Sequence, residues 1–197
     1  MKRLRELAGP ASVGLYLGAL AVIQATGRPD WETLTSSADA VAHGRVWLLL
    51  TSGLVIDGVP WLQLAVLAAV MLFALERLGA ARLWIVGLSA HVGAALLAYA
   101  GLGVIYAIDA SQTDPHEADY GVSVLFAGLL GALATSGGRR LAIVIGVVSV
   151  AGFSIGLEDA SWLANVEHVL GFAIGAVLNA VLTRRAAAGC PLHARDA

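Results

Sequence analysis

Six apolar stretches, each long enough or nearly long enough to cross a bilayer, leave this chain few folds to choose from. They run about Ala11–Ala25, Val59–Leu75, Leu83–Ile105, Gly121–Thr135, Leu141–Leu157 and Trp162–Leu182. A helix needs about 17–25 apolar residues to span the hydrocarbon, where backbone groups find no water to bond. Composition agrees: 58 % of residues are hydrophobic and only 13 % charged, against about 25 % charged in soluble chains. The expected fold class is all-α, a polytopic membrane protein with a six-transmembrane-helix bundle. One domain is expected over residues 1–197, its core about 11–183 with short tails.

Loop charges test the six-span parse independently. Lys2, Arg3 and Arg5 precede the first span, Arg77 and Arg82 lie between the second and third, Arg139 and Arg140 between the fourth and fifth, and Arg184 and Arg185 follow the sixth. The other loops are acidic: Asp30, Glu32 and Asp39; then Asp109, Asp114, Glu117 and Asp119; then Glu158 and Asp159. Such alternation is the positive-inside pattern, with both termini cytoplasmic. The basic start followed by an apolar run could pass for a signal peptide, but no clear small-residue cleavage site closes it, so a retained first helix is expected. Arginine outnumbers lysine eleven to one, which suggests a high-GC bacterial genome and hence the cell membrane.

Several function classes are excluded. A net charge of −2 gives no basic surface for nucleic acid. One cysteine, Cys190, allows neither an internal disulfide nor a CxxC site. "HEADY" at 116–120 lacks the second histidine of HExxH, so no metal is expected, and no cofactor. The piece "VWLLLTSGLVI", Val46–Ile56, is too short to span and is followed by Asp57-Gly58; it reads as a re-entrant or interfacial segment. His43 and Arg45 beside it suit interfacial anchoring, and His91 in span three suits an interhelical hydrogen bond.

Polar side chains inside a bilayer are costly, and two of them carry the candidate chemistry. In span six, His168, Gly171 and Gly175 share a helical face, the last two as a GxxxG pair suited to close packing. In span four, Ser123, Ala127 and Gly131 form a matching small-residue stripe. Span four is about fifteen residues, roughly 22 Å, shorter than a core of about 30 Å, so it begins below the outer surface. His168 lies six residues past Trp162, about 9 Å down, so the two side chains reach similar depth. A serine hydroxyl becomes a nucleophile when an adjacent base removes its proton. Gly121, Val122 and Ser123 at the helix start add backbone N–H groups for an oxyanion, and Gly121 permits a tight turn. The plainer reading is a serine bonded to its own helix and a histidine used in packing.

Four ordered blocks carry a family resemblance. They are "WLLLTSGLVIDG", "ALERLGAARLWIVGLSAHVGAALL" (with Glu76, Gly79 and Arg82), "GVSVLFAGLLGAL" and "HVLGFAIG". From about Val46 to Leu182 the chain resembles the rhomboid intramembrane serine proteases. The third block resembles the GxSG motif and puts the family's nucleophile on Ser123; the fourth resembles HxxGxxxG and puts the general base on His168. The last glycine of GxSG is Val124 here, a bulkier side chain beside the nucleophile. Trp61 and Ala65 stand where the family carries its span-two oxyanion donors, with Gln63 the nearest amide, and Glu167 precedes the base. The resemblance implies a rhomboid-like endopeptidase that cleaves transmembrane helices of membrane-protein substrates in the lipid bilayer. The alternative is a catalytically inactive rhomboid-like protein that binds such helices without cutting them.

Overall fold

A computed structural model describes residues 2–26, 31–56, 59–156 and 161–188, without the side chains of residues 2–6, 31–32 and 151–156. The charges of Lys2, Arg3, Arg5, Asp30, Glu32, Glu158 and Asp159, the Asp57-Gly58 pair and Cys190 therefore lie outside the described residues. Six principal helices occupy the places of the six apolar stretches: α1 (Lys2–Ala25), α5 (Pro60–Leu78), α6 (Ala80–Ile108), α7 (Ser123–Ser136), α8 (Arg139–Gly156) and α9 (Trp162–Ala188). Short helices α2 (Trp31–Leu34), α3 (Ala38–Ala42) and α4 (Leu48–Thr51) lie between the first two. Among the described residues there is no strand, only an antiparallel bridge between Ser36 and Asp119. The segments Leu7–Ala25, Pro60–Leu78, Ala80–Ile108 and Trp162–Ala188 are long and apolar enough to cross a membrane. Helix ends differ from the apolar limits because a helix continues into polar residues that hydropathy does not count. α9, for example, carries Arg184 and Arg185 as helix.

Local chemistry sets the joints. Pro60 stands at the start of α5, where its missing N–H costs nothing. Gly79 joins α5 to α6 at φ 77°, a conformation in which an L side chain is strained. The long α6 presents Ala90, Ala94 and Ala98 to its neighbours, all nearly fully buried. α7 is apolar on every side and packs against α5, α6, α8 and α9, so it forms the middle of the bundle.

The Val46–Ile56 piece forms α4, a 3₁₀ turn (Ser52–Leu54) and an extended exit, with Leu48, Leu49, Ser52, Val55 and Ile56 buried. Irregular backbone at this depth needs partners from the protein. They are present: Tyr16 Oη donates to the Gly53 carbonyl at 2.7 Å, Gln24 Nε2 to that of Ile56 at 3.3 Å, and the Gly121 N–H to that of Ser52 at 3.0 Å. His91 Nε2 lies 3.4 Å from Ser52 Oγ, so this buried histidine ties α6 to the irregular segment. α1 is held in turn through Trp84, whose Nε1 donates to Ser12 Oγ at 2.9 Å and whose ring meets Tyr16 edge-on at 5.4 Å.

α7 and α9 run parallel in the closest contact of the bundle. A Cβ built on Gly175 would overlap the Gly128 carbonyl oxygen, and one on Gly131 would overlap that of Phe172. One on Gly171 would lie 3.0 Å from Val124 Cγ1 and 3.1 Å from its carbonyl oxygen. Farther along, Asn179 is fully buried and its Nδ2 donates to the Ala132 carbonyl and to Thr135 Oγ1, both at 3.0 Å. The contact stripe of α7 is therefore Val124, Ala127, Gly128 and Gly131. Ser123, one residue before Val124, lines an open cavity.

Candidate active site

That cavity holds about 800 Å³ and is bounded by α5, by the loop before α7, and by the starts of α7 and α9. Ser123 and His168 both line it and both are half-buried. Leu62, Gln63 and Val66 form the α5 wall; Ser161, Leu163 and Ala164 form the α9 side. A largely apolar wall with a few polar groups suits an extended, partly apolar occupant.

Ser123 is the first residue of α7, and Phe126 N–H bonding to the Val122 carbonyl at 3.0 Å is the first bond of that helix. The N–H groups of Ser123, Val124 and Leu125 therefore precede any intrahelical bond, as the first turn of a helix requires. Gly121 makes the turn at φ 128°, and a Cβ there would sit 3.2 Å from Ser123 Oγ. Its role differs from the expectation in one respect. The Gly121 N–H is engaged by the Ser52 carbonyl, so Gly121 shapes the turn and does not donate to an oxyanion. Val122 lines the cavity, nearly fully buried.

Two alignment expectations need correction. Trp61 and Ala65 do not line the cavity, although like Leu62, Gln63 and Val66 they are exposed. The polar group that α5 brings to the site is Gln63, which with Leu62, Val66 and Leu67 shares the side of the helix that lines the open cavity. Val124, taken as a bulky neighbour of the nucleophile, is 4 % exposed and packs on Gly171 instead of lining the cavity. Val124→Gly should accordingly destabilise the α7–α9 contact by about 2–4 kcal/mol, through lost packing and a glycine in a helix. Thermal unfolding in detergent checks this, and a variant as stable as its parent would contradict it.

The sequence reading passed over one feature. Glu167, 1 % exposed, lies beside the carboxyl of Asp119, which also bonds to Tyr99 and Ser36. An acid and a tyrosine inside otherwise apolar spans were the available signal. On the exposed side, Asp39 meets His43 Nδ1 at 3.3 Å and His116 Nδ1 at 3.5 Å, which places the histidine of "HEADY" in a polar loop cluster. Among the described residues no group of three or more His, Cys, Asp or Glu side chains is arranged to hold a metal.

A family model described as rhomboid-like protein matches residues 33–188, most of the chain. Comparison with curated proteins and with solved structures gives no match.

Proposed function

The chain belongs to the rhomboid-like proteins, and on that footing we propose that it is an intramembrane serine endopeptidase cleaving transmembrane segments of membrane proteins. The observation that carries this reading is the shared cavity of Ser123, at the open start of α7, and His168 on α9. Ser123 Oγ attacks the scissile carbonyl carbon while His168 takes its proton. The oxyanion that forms is met by N–H groups of the first turn of α7, with Gln63 in reach of the same cavity. Collapse of this intermediate breaks the C–N bond as His168 returns the proton to the leaving amine. Water, deprotonated by the same histidine, then releases the acyl group. Labelling of the purified protein by a fluorophosphonate tests the reading; a parent that never labels at Ser123 fails it.

A second reading, a helix-binding protein without cleavage, is favoured by the α5 wall. Trp61 and Ala65 do not line the cavity, and that wall offers one amide to an oxyanion. Capture of a transmembrane peptide by an unlabelled protein would support it.

We also propose that both termini are cytoplasmic. The acidic segments around Ser36 and Asp119 meet at one end of the bundle, whereas Arg82 Nη1 reaches Thr183 Oγ1 at 3.3 Å at the other. Reporter fusions after Thr183 and at Arg139 should read cytoplasmic and one at Thr113 external. An external signal after Thr183 would overturn the orientation.

A further inference from the structure

At the wall of the cavity the half-buried Asp119 joins a cluster of buried oxygen groups. Asp119 Oδ2 accepts from Tyr99 Oη at 2.5 Å and from Ser36 Oγ at 3.3 Å, and those two hydroxyls stand 2.7 Å apart. The Asp119 carboxyl also meets that of Glu167 within hydrogen-bonding reach. Glu167, Ser36 and Tyr99 are 1 %, 2 % and 7 % exposed, and Glu167 Oε1 has no hydrogen-bond partner. The backbones lock the same place: the N–H groups of Ser36 and Asp119 each donate to the other's carbonyl, at 2.9 and 2.8 Å.

Two carboxylates in contact repel, and a proton between them turns that repulsion into a hydrogen bond. The groups facing the pair are Tyr99 and His91 from α6, His168 from α9 and Glu117 from the loop. Among the described residues neither carboxyl has an ion pair with lysine or arginine. A proton is therefore what makes the contact favourable.

The placement gives the pair a purpose. Asp119 stands in the loop that ends at Ser123, and Glu167 immediately precedes His168. We propose that the Asp119–Glu167 contact is a proton-dependent tie that joins the loop of the nucleophile to the helix of the base and sets their separation. Both are positioning residues, and the proposal rests on reading Ser123 and His168 as the dyad. Glu167→Gln supplies an N–H donor in place of the proton and keeps the tie, whereas Glu167→Leu removes it.

The test uses the full chain in detergent, with two readouts for the parent, Glu167→Gln and Glu167→Leu. The fluorophosphonate labelling rate of Glu167→Leu should fall about tenfold below the parent's, while that of Glu167→Gln stays within about twofold of it. In Glu167→Leu, exchange protection of the Ser36 and Asp119 amides should drop about tenfold or more, with that of Leu129 in α7 retained. A Glu167→Gln protein that labels as slowly as Glu167→Leu, or parental labelling or protection in Glu167→Leu, overturns the tie. If Glu167→Leu does not fold, Glu167→Gln decides it: parental labelling and parental Ser36 and Asp119 protection support the tie, and about a tenfold loss of either overturns it. If no protein labels, the dyad reading has failed, and the exchange measurement alone judges the tie.

Discussion

Ser123→Ala and His168→Ala should each abolish fluorophosphonate labelling while leaving thermal unfolding within about 1 kcal/mol of the parent. The stability half follows from placement. Both side chains are half-buried and line an open cavity, so truncation empties no fully buried core. The activity half follows from chemistry. Without Ser123 Oγ there is no nucleophile, and without His168 the hydroxyl keeps its proton, a loss of about 10²–10⁴-fold for a missing general base. Because the two act as one unit, the double variant should be no slower than either single one. A His168→Ala protein that labels at the parental rate would show that the cavity brings the residues together without coupling them.

Gly175→Ala should cost about 3 kcal/mol or more, at the upper end of overpacking costs. The added methyl would overlap the Gly128 carbonyl oxygen, a backbone atom that no rotamer change can move. The helices must separate, and the Asn179 bonds to Ala132 and Thr135 on the same interface must stretch with them. Gly171→Ala should cost less, about 1–2 kcal/mol, because its added methyl would lie 3.0 Å from Val124 Cγ1 and 3.1 Å from the Val124 carbonyl oxygen, a tight contact and not an overlap. Gly18 and Gly146 have no atom within 4 Å of an added Cβ, so alanine there should be neutral or stabilise by up to about 1 kcal/mol. Thermal melts of the four variants in one detergent check the order. A Gly175→Ala protein melting with its parent would mean that α7 and α9 are not in backbone contact.

Much of this protein was legible in the sequence because a bilayer imposes strong one-dimensional rules. Hydropathy located the principal helices, since any span must bury a continuous apolar length and satisfy its backbone within itself. The shortness of "VWLLLTSGLVI" marked it as irregular, and small residues in spans four and six marked the helices that touch. Rotation about a helix axis was not legible. Ser123 and Val124 are adjacent letters, yet one opens onto the cavity and the other packs on Gly171, because 100° per residue separates them and only the neighbouring helix fixes which way each points. The same applies to Trp61 and Gln63 on α5. Least legible was the meeting of Ser36, Tyr99, Asp119 and Glu167. Each alone reads as a polar residue in a loop or a costly one in a span, and their joint burial exists only once four distant segments are folded against one another.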